Sequence, residues 1–303
     1  MQGKWRAYFE LMRFPAVFTV VADVMMGYLV TQGNLQPGWA FGLLLSCSVS
    51  LYWSGMVLND VCDADVDARE RPLRPIPSGE VSLSTARRLG WGLLAVGLGM
   101  ACLVSISAHN WTPFYVGTLL AVCIASYDSV LKRTHVAPVL MGTCRTLNLL
   151  LAMSTWNATL QPSHWAIAIG NGVYIAGVTV FGRTEARESR RLALTFGLLI
   201  MLVGIICLAS SPDLSILQQT FGVAGRHWGT PWAVMIVFII LRCVSTIRHP
   251  EPRNVQSVVR NALQSLIVFD AILTMAWAGF DWAGVVLALL VPMIVLQHWF
   301  HTT

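Results

Sequence analysis

Asn59, Asp60, Asp63 and Asp67 stand at i, i+1, i+4 and i+8 in a chain with few charges to spare. Only 15 of 303 residues are acidic, and Asp60, Asp63, Asp65 and Asp67 crowd into one short stretch. Carboxylates at that density repel one another unless a cation lies between them. On a helix running past the end of an apolar segment, Asn59, Asp63 and Asp67 line one face with Asp60 beside them. Asp65 then points to solvent. Hard oxygen donors of this kind suit Mg²⁺, which is usually shared between a few carboxylates and substrate phosphates. The segment that follows, Arg69-Glu70-Arg71-Pro72-Leu73-Arg74-Pro75-Ile76-Pro77-Ser78-Gly79, sets three arginines and a proline-rich turn beside the acids. Arginine forks grip phosphate oxygens in pairs, so the composition is that of a phosphate clamp. A solvated Asp-rich loop is what the acids alone would allow. A metal at a membrane surface implies an anionic lipid substrate.

The elements that must position these residues are apolar. Apolar residues make up 55% of the chain and charged residues 12%, against about 25% charged in an ordinary soluble domain. The chain therefore reads as an all-α integral membrane protein. Spans of about 20 apolar residues are expected near 14–31, 38–58, 84–107, 112–131, 135–157, 163–181, 191–210, 230–247, 258–279 and 282–300. Arg260, Gln264 and Asp270 dilute the ninth, so the count is nine with a re-entrant or interfacial helix, or ten. The first run has no small-residue cleavage site after it and reads as a retained helix. No linker interrupts the series, and residues 1–303 read as one domain.

Sidedness follows from the basic residues. Of the 20 Lys and Arg, all but Arg145, inside the fifth span, and Arg226 fall on the side of the N-terminus. Positive charge is retained in the cytoplasm, so the N-terminus, the acidic cluster, Lys132 and Arg183 are expected to be cytoplasmic, in a bacterial inner or plasma membrane. The net charge of +5 is thus a topology signal, and no nucleic-acid partner is implied. The seven cysteines are scattered through apolar runs without metal-ligand spacing and read as packing residues.

Asn59-Asp60-x-x-Asp63-x-x-x-Asp67, followed by Arg-Pro-Ile-Pro-Ser-Gly at 74–79, resembles the first aspartate-rich motif of the UbiA superfamily of intramembrane prenyltransferases. Tyr127 to Arg133 (YDSVLKR) is similar to the family's Tyr-x(4)-Lys-Arg loop after span four, and Arg145 with Asn148 to its polar residues in span five. The resemblance implies a UbiA-like bundle of 9–10 transmembrane helices. The implied activity is Mg²⁺-dependent transfer of a prenyl group from a prenyl diphosphate to a hydrophobic acceptor, aromatic or lipid-like. Asp60, Asp63, Asp67 and Lys132 would be catalytic. Arg71, Arg74, Lys132, Arg145, Arg183 and Arg187 would hold the diphosphate, and Asn59, Asp60, Asp63, Asp67, Glu185 and Glu188 the metal. Membrane lipid surrounds the site. Arg145, as an intramembrane charge, needs either a bound anion or a partner such as Asp23.

The family's second motif is Asp-x-x-x-Asp after span six, where this chain has Gly182-Arg183-Thr184-Glu185-Ala186-Arg187-Glu188-Ser189. Tyr52-x-x-Gly55 parallels Tyr174-x-x-Gly177, and that register sets Glu185 opposite Asp63 and Ser189 opposite Asp67. Phe181 and Gly182 then face the places of Asn59 and Asp60, with Glu188 one residue early. Arg183, Arg187 and Arg190 crowd the segment and could replace metal charge in holding a diphosphate. The departure is similar to that of the EboC group within the superfamily. It motivates a second reading, a UbiA-fold protein that binds or exports a lipid or small metabolite without turnover. A secondary transporter fits less well, because its binding groups lie near the bilayer midplane.

Overall fold

The computed structural model describes residues 2–155, 159–183, 191–213, 215–217 and 227–299. Its helices are α1 (Gln2–Leu11), α2 (Val17–Gln32), α3 (Gly38–Cys62), α4 (Ala64–Glu70), α5 (Leu83–Ser107), α6 (Thr112–Ser129), α7 (Ala137–Met153), α8 (Pro162–Gly182), α9 (Arg191–Ala209), α10 (Gly229–Arg248), α11 (Pro252–Ala278), α12 (Phe280–Ala288) and α13 (Leu290–Trp299). Among the described residues there is no strand. Among the described residues eight segments are long and apolar enough to cross a membrane, with α12 and α13 together forming one of them; α7 is apolar but shorter.

Helices adjacent in sequence are mostly neighbours in space. α2, α3, α5 and α6 pack in turn, α7 joins them to α8, α9 and α10, and α11 closes the ring against α2 and α8. α8 and α9 approach backbone to backbone, and glycines permit it. A Cβ on Gly177 would stand 2.6 Å from the Met201 backbone nitrogen, one on Gly204 2.6 Å from that of Tyr174, and one on Gly197 2.8 Å from that of Phe181. Gly142 of α7 meets α8 in the same way, 2.5 Å from the Gly172 carbonyl oxygen. Such backbone contact drives helix association in lipid, where apolar burial gives little. An aromatic group welds α11 to α8 and α10: Phe269 lies edge-on to Tyr174 at 5.0 Å and stacked on Trp232 at 5.7 Å.

The observed helices correct the expected boundaries in three places. The helix carrying the acidic motif does not run on unbroken: α3 ends at Cys62, Asp63 leaves helical geometry (φ −92°, ψ 1°), and α4 begins at Ala64. Backbone N–H groups of Asp63 and Asp67 still bond Asn59 and Asp63 carbonyls at 3.0 and 2.8 Å, so the break is a bend. The ninth run starts six residues early, at Pro252. Pro252 is preorganised for a first helical turn, and Val255, Val258 and Ala262 are buried along one face while Arg253 and Arg260 are exposed. The last run divides at Leu289. Pro292 cannot donate a backbone hydrogen bond, and its ring crowds the carbonyl four residues back.

Candidate active site

The bend at Asp63 sets α4 against the end of α3 and divides the acidic motif into two pairs, each bridged by one basic side chain. Arg74 donates from Nη1 to Asp67 Oδ2 at 2.7 Å and to Asp60 Oδ1 at 3.3 Å. Lys132 donates to Asn59 Oδ1 at 2.7 Å and to the Asp63 carboxylate. Asn59, Asp60 and Asp67 are buried, while Asp65 is exposed. Arg74 reaches the pair because the turn from Arg71 to Gly79 folds back. The Arg71 N–H bonds the Asp67 carbonyl at 2.8 Å, the Ser78 N–H bonds the Arg74 carbonyl at 2.9 Å, and Gly79 takes the positive φ of 80° that the turn needs. Lys132 comes from the short turn Leu131–Arg133 after α6.

The remaining expected residues are distributed unevenly. Arg71 is exposed beside the cluster. Arg183 is exposed and donates to the Thr134 carbonyl at 2.7 Å, which ties the end of α8 to the turn bearing Lys132. Arg145 does not reach the rim. Its Nη2 lies 2.7 Å from Asp23 Oδ1 inside the bundle, and it also donates to the hydroxyl and carbonyl oxygens of Thr19 at 3.4 Å. Of the two partners considered for Arg145, the structure supplies Asp23. Glu185, Arg187 and Glu188 lie outside the described residues, as does Arg190.

Two residues at the rim, Arg13 and Asp128, were not singled out from the sequence. Arg13, at the start of the first span, reaches Asp60 Oδ1 at 3.5 Å. Tyr52 donates its hydroxyl to the Arg13 carbonyl at 3.4 Å, and Phe14 stacks on Trp53 at 6.1 Å, which holds that segment over the acids. Asp128 is buried facing Lys132 and Asp63, and its Oδ2 has no hydrogen-bond partner. Asp128 sits inside the YDSVLKR segment, so its position in a recognised loop was the available signal. The parallel between Tyr52 and Tyr174 has a structural counterpart, since each hydroxyl holds a backbone carbonyl of a neighbouring segment: Arg13 for one, Ala262 at 3.0 Å for the other.

Among the described residues no three Asp, Glu, His or Cys side chains converge as an ion held wholly by protein would need. Mg²⁺ does not need that, because it keeps waters and takes one or two carboxylates together with substrate phosphate. The two rim pairs are hard oxygen donors, and they already accommodate concentrated positive charge. The donor set therefore fits Mg²⁺ arriving with an anionic substrate.

The fold and the site define a class: a membrane-embedded helical bundle with one acidic and basic rim. Residues 20–262 match the UbiA prenyltransferase family, and the chain belongs to that family. Among similar proteins is the digeranylgeranylglyceryl phosphate synthase of Sulfurisphaera tokodaii, 33% identical over 42% of this chain and 44% of that one. The synthase of the same name from Methanopyrus kandleri is 34% identical over 46% and 51%. The chain thus spans about half the length of the curated relatives it matches. A solved UbiA homolog from Archaeoglobus fulgidus bound to GPP and Mg²⁺ has the same fold, with a TM-score of 0.66 at 14% identity over 93% of this chain and 99% of that one. A solved digeranylgeranylglyceryl phosphate synthase gives 0.64 at 18% identity over 93% and 100%.

Proposed function

We propose that this chain is an intramembrane prenyltransferase of a single membrane domain, moving a prenyl group from a prenyl diphosphate to a lipid-like acceptor with Mg²⁺. The observation that carries this reading is the pairing of Lys132 with Asn59 and Asp63, beside Arg74 on Asp60 and Asp67. Each cation is held by acids that a metal–diphosphate complex would engage. Asn59, Asp60, Asp63 and Asp67 would hold Mg²⁺. When bound, Mg²⁺ supplies charge neutralisation for the departing diphosphate. Arg74 and Lys132, freed from the acids, would turn to the phosphate oxygens, with Arg13, Arg71 and Arg183 around them. Positive charge fixed where negative charge develops is the main source of rate acceleration. The acceptor proposal follows the named relatives, whose products are glycerophosphate lipids by name. The rim is proposed to face the cytoplasm, from its excess of basic residues.

The test is pyrophosphate release by purified protein in nanodiscs, given Mg²⁺, geranylgeranyl diphosphate and a glycerol-phosphate lipid acceptor. Release should require Mg²⁺ and fall at least about 100-fold in Asp63→Ala. Equal signal from wild type and Asp63→Ala across a panel of prenyl diphosphates would end the proposal.

A further inference from the structure

Away from the rim, the interior of the bundle holds a second polar cluster, joined to none of the rim acids by an ion pair. Asp23 of α2 is fully buried and well partnered: Arg145 lies 2.7 Å from one oxygen, and Asn148 donates to the other at 3.0 Å. Ser48 of α3 in turn donates to Asn148. Nothing is left over for Asp270 of α11. That residue is also fully buried and faces Asp23, Arg145 and Asn171, with Asp23 and Asn171 within reach but neither of its oxygens meeting a donor in good hydrogen-bonding geometry. Asn171 of α8 is fully buried beside Asp270, with neither its amide oxygen nor its nitrogen in good hydrogen-bonding geometry, and the hydroxyl of Thr274, one turn beyond Asp270, is buried in the same state.

Charge and space define what could complete this cluster. Two carboxylates face one guanidinium, which leaves one negative charge unbalanced inside a hydrocarbon-embedded bundle, where unpaired charge is strongly disfavoured. Other charged residues do not supply the balance. On α11 itself Arg253 and Arg260 are exposed; on the helices packed against it, so are Arg242 and Arg248 of α10 and Asp281 of α12. On α8, Tyr174 is bonded to the Ala262 carbonyl, and His164 is turned to the Gln161 N–H at the helix start. Asp23, Asp270, Asn171 and Thr274 are without solvent-accessible surface, so no water molecule fits against them. An occupant must be smaller than water, singly positive and suited to carboxylate, amide and hydroxyl oxygens.

We propose that Asp270, Asn171, Thr274 and Asp23 bind one small monovalent cation, either a dehydrated sodium ion or a proton, between α2, α8 and α11. The site joins the first helix of the bundle to the helix that closes the ring, so its occupancy stabilises the closed bundle. The inference is independent of the prenyl-transfer reading.

The experiment is thermal unfolding of the whole protein in detergent, in NaCl and in choline chloride at equal ionic strength and pH, with infrared spectra of the same samples. With sodium as the occupant, NaCl raises the wild-type midpoint by about 5 °C over choline, and Asp270→Asn does not respond. With a proton as the occupant, the salts are equivalent, and the wild type shows a protonated-carboxyl carbonyl band that Asp270→Asn lacks. Should Asp270→Asn fail to fold, Thr274→Val removes one oxygen and no charge; it then lowers the sodium response or shifts the carboxyl band. Equivalent salts with no such band overturn the proposal, as does a sodium response or a band that neither substitution alters.

Discussion

Among the described residues Arg74 is the most consequential single cation at the rim, because there it alone spans two buried carboxylates, Asp60 and Asp67. Removing one member of a buried ion pair strands the other in a poor solvent, a cost of about 3–5 kcal/mol. Arg74→Ala is therefore expected to lower stability by about 3 kcal/mol, with a clear drop in the thermal midpoint in detergent, whereas exposed Arg71→Ala stays within about 0.5 kcal/mol. A midpoint for Arg74→Ala equal to wild type would show the pairs to be dispensable for folding. The acidic motif was legible because its spacing repeats at helical intervals. Arg13 and Asp128 were not, since one approaches across 47 residues of chain and the other looks like an ordinary polar residue near a helix end. Arg145 was legible as a charge needing a partner, and only the packing of α2 against α7 chose Asp23.

At the scale of elements, the glycine contacts between α8 and α9 set how close the second half of the bundle packs. A methyl at Gly177 would collide with backbone, which cannot swing aside as a side chain can. Gly177→Ala is expected to cost about 1–3 kcal/mol by overpacking, read as a lower thermal midpoint. Gly92→Ala in α5 is the comparison, because nothing lies within 4 Å of its added methyl. It should be neutral or stabilising by up to about 1 kcal/mol. A loss in Gly92→Ala equal to that in Gly177→Ala would remove close packing as the reason. Apolar run length located nearly every helix, since lipid forces the backbone to satisfy itself within each span. It missed the start of α11, where a polar helix turn buries only a narrow stripe, and the bend at Asp63, where ionic contacts across the chain redirect the helix.

For the whole molecule, the expectation that remains to be measured is sidedness. Cys62, beside the rim acids, is exposed, while Cys47 and Cys243 are buried. A membrane-impermeant maleimide should modify Cys62 in inside-out vesicles and leave it unmodified in right-side-out cells; the opposite pattern would reverse the proposed orientation. Composition by itself determined that the chain is a membrane bundle, and the one-sided basic residues set the expectation for its orientation, because the bilayer imposes length, apolarity and charge asymmetry residue by residue. The acidic motif and the arginine-proline turn after it raised the expectation of metal–diphosphate chemistry, because their donors lie close together in one segment. Which cation meets which acid, that Arg145 answers Asp23, and that Asp270 and Asn171 are buried beside that pair were decided only in the tertiary structure. Those contacts join helices far apart in sequence, and their energies depend on separation and burial that no single segment encodes.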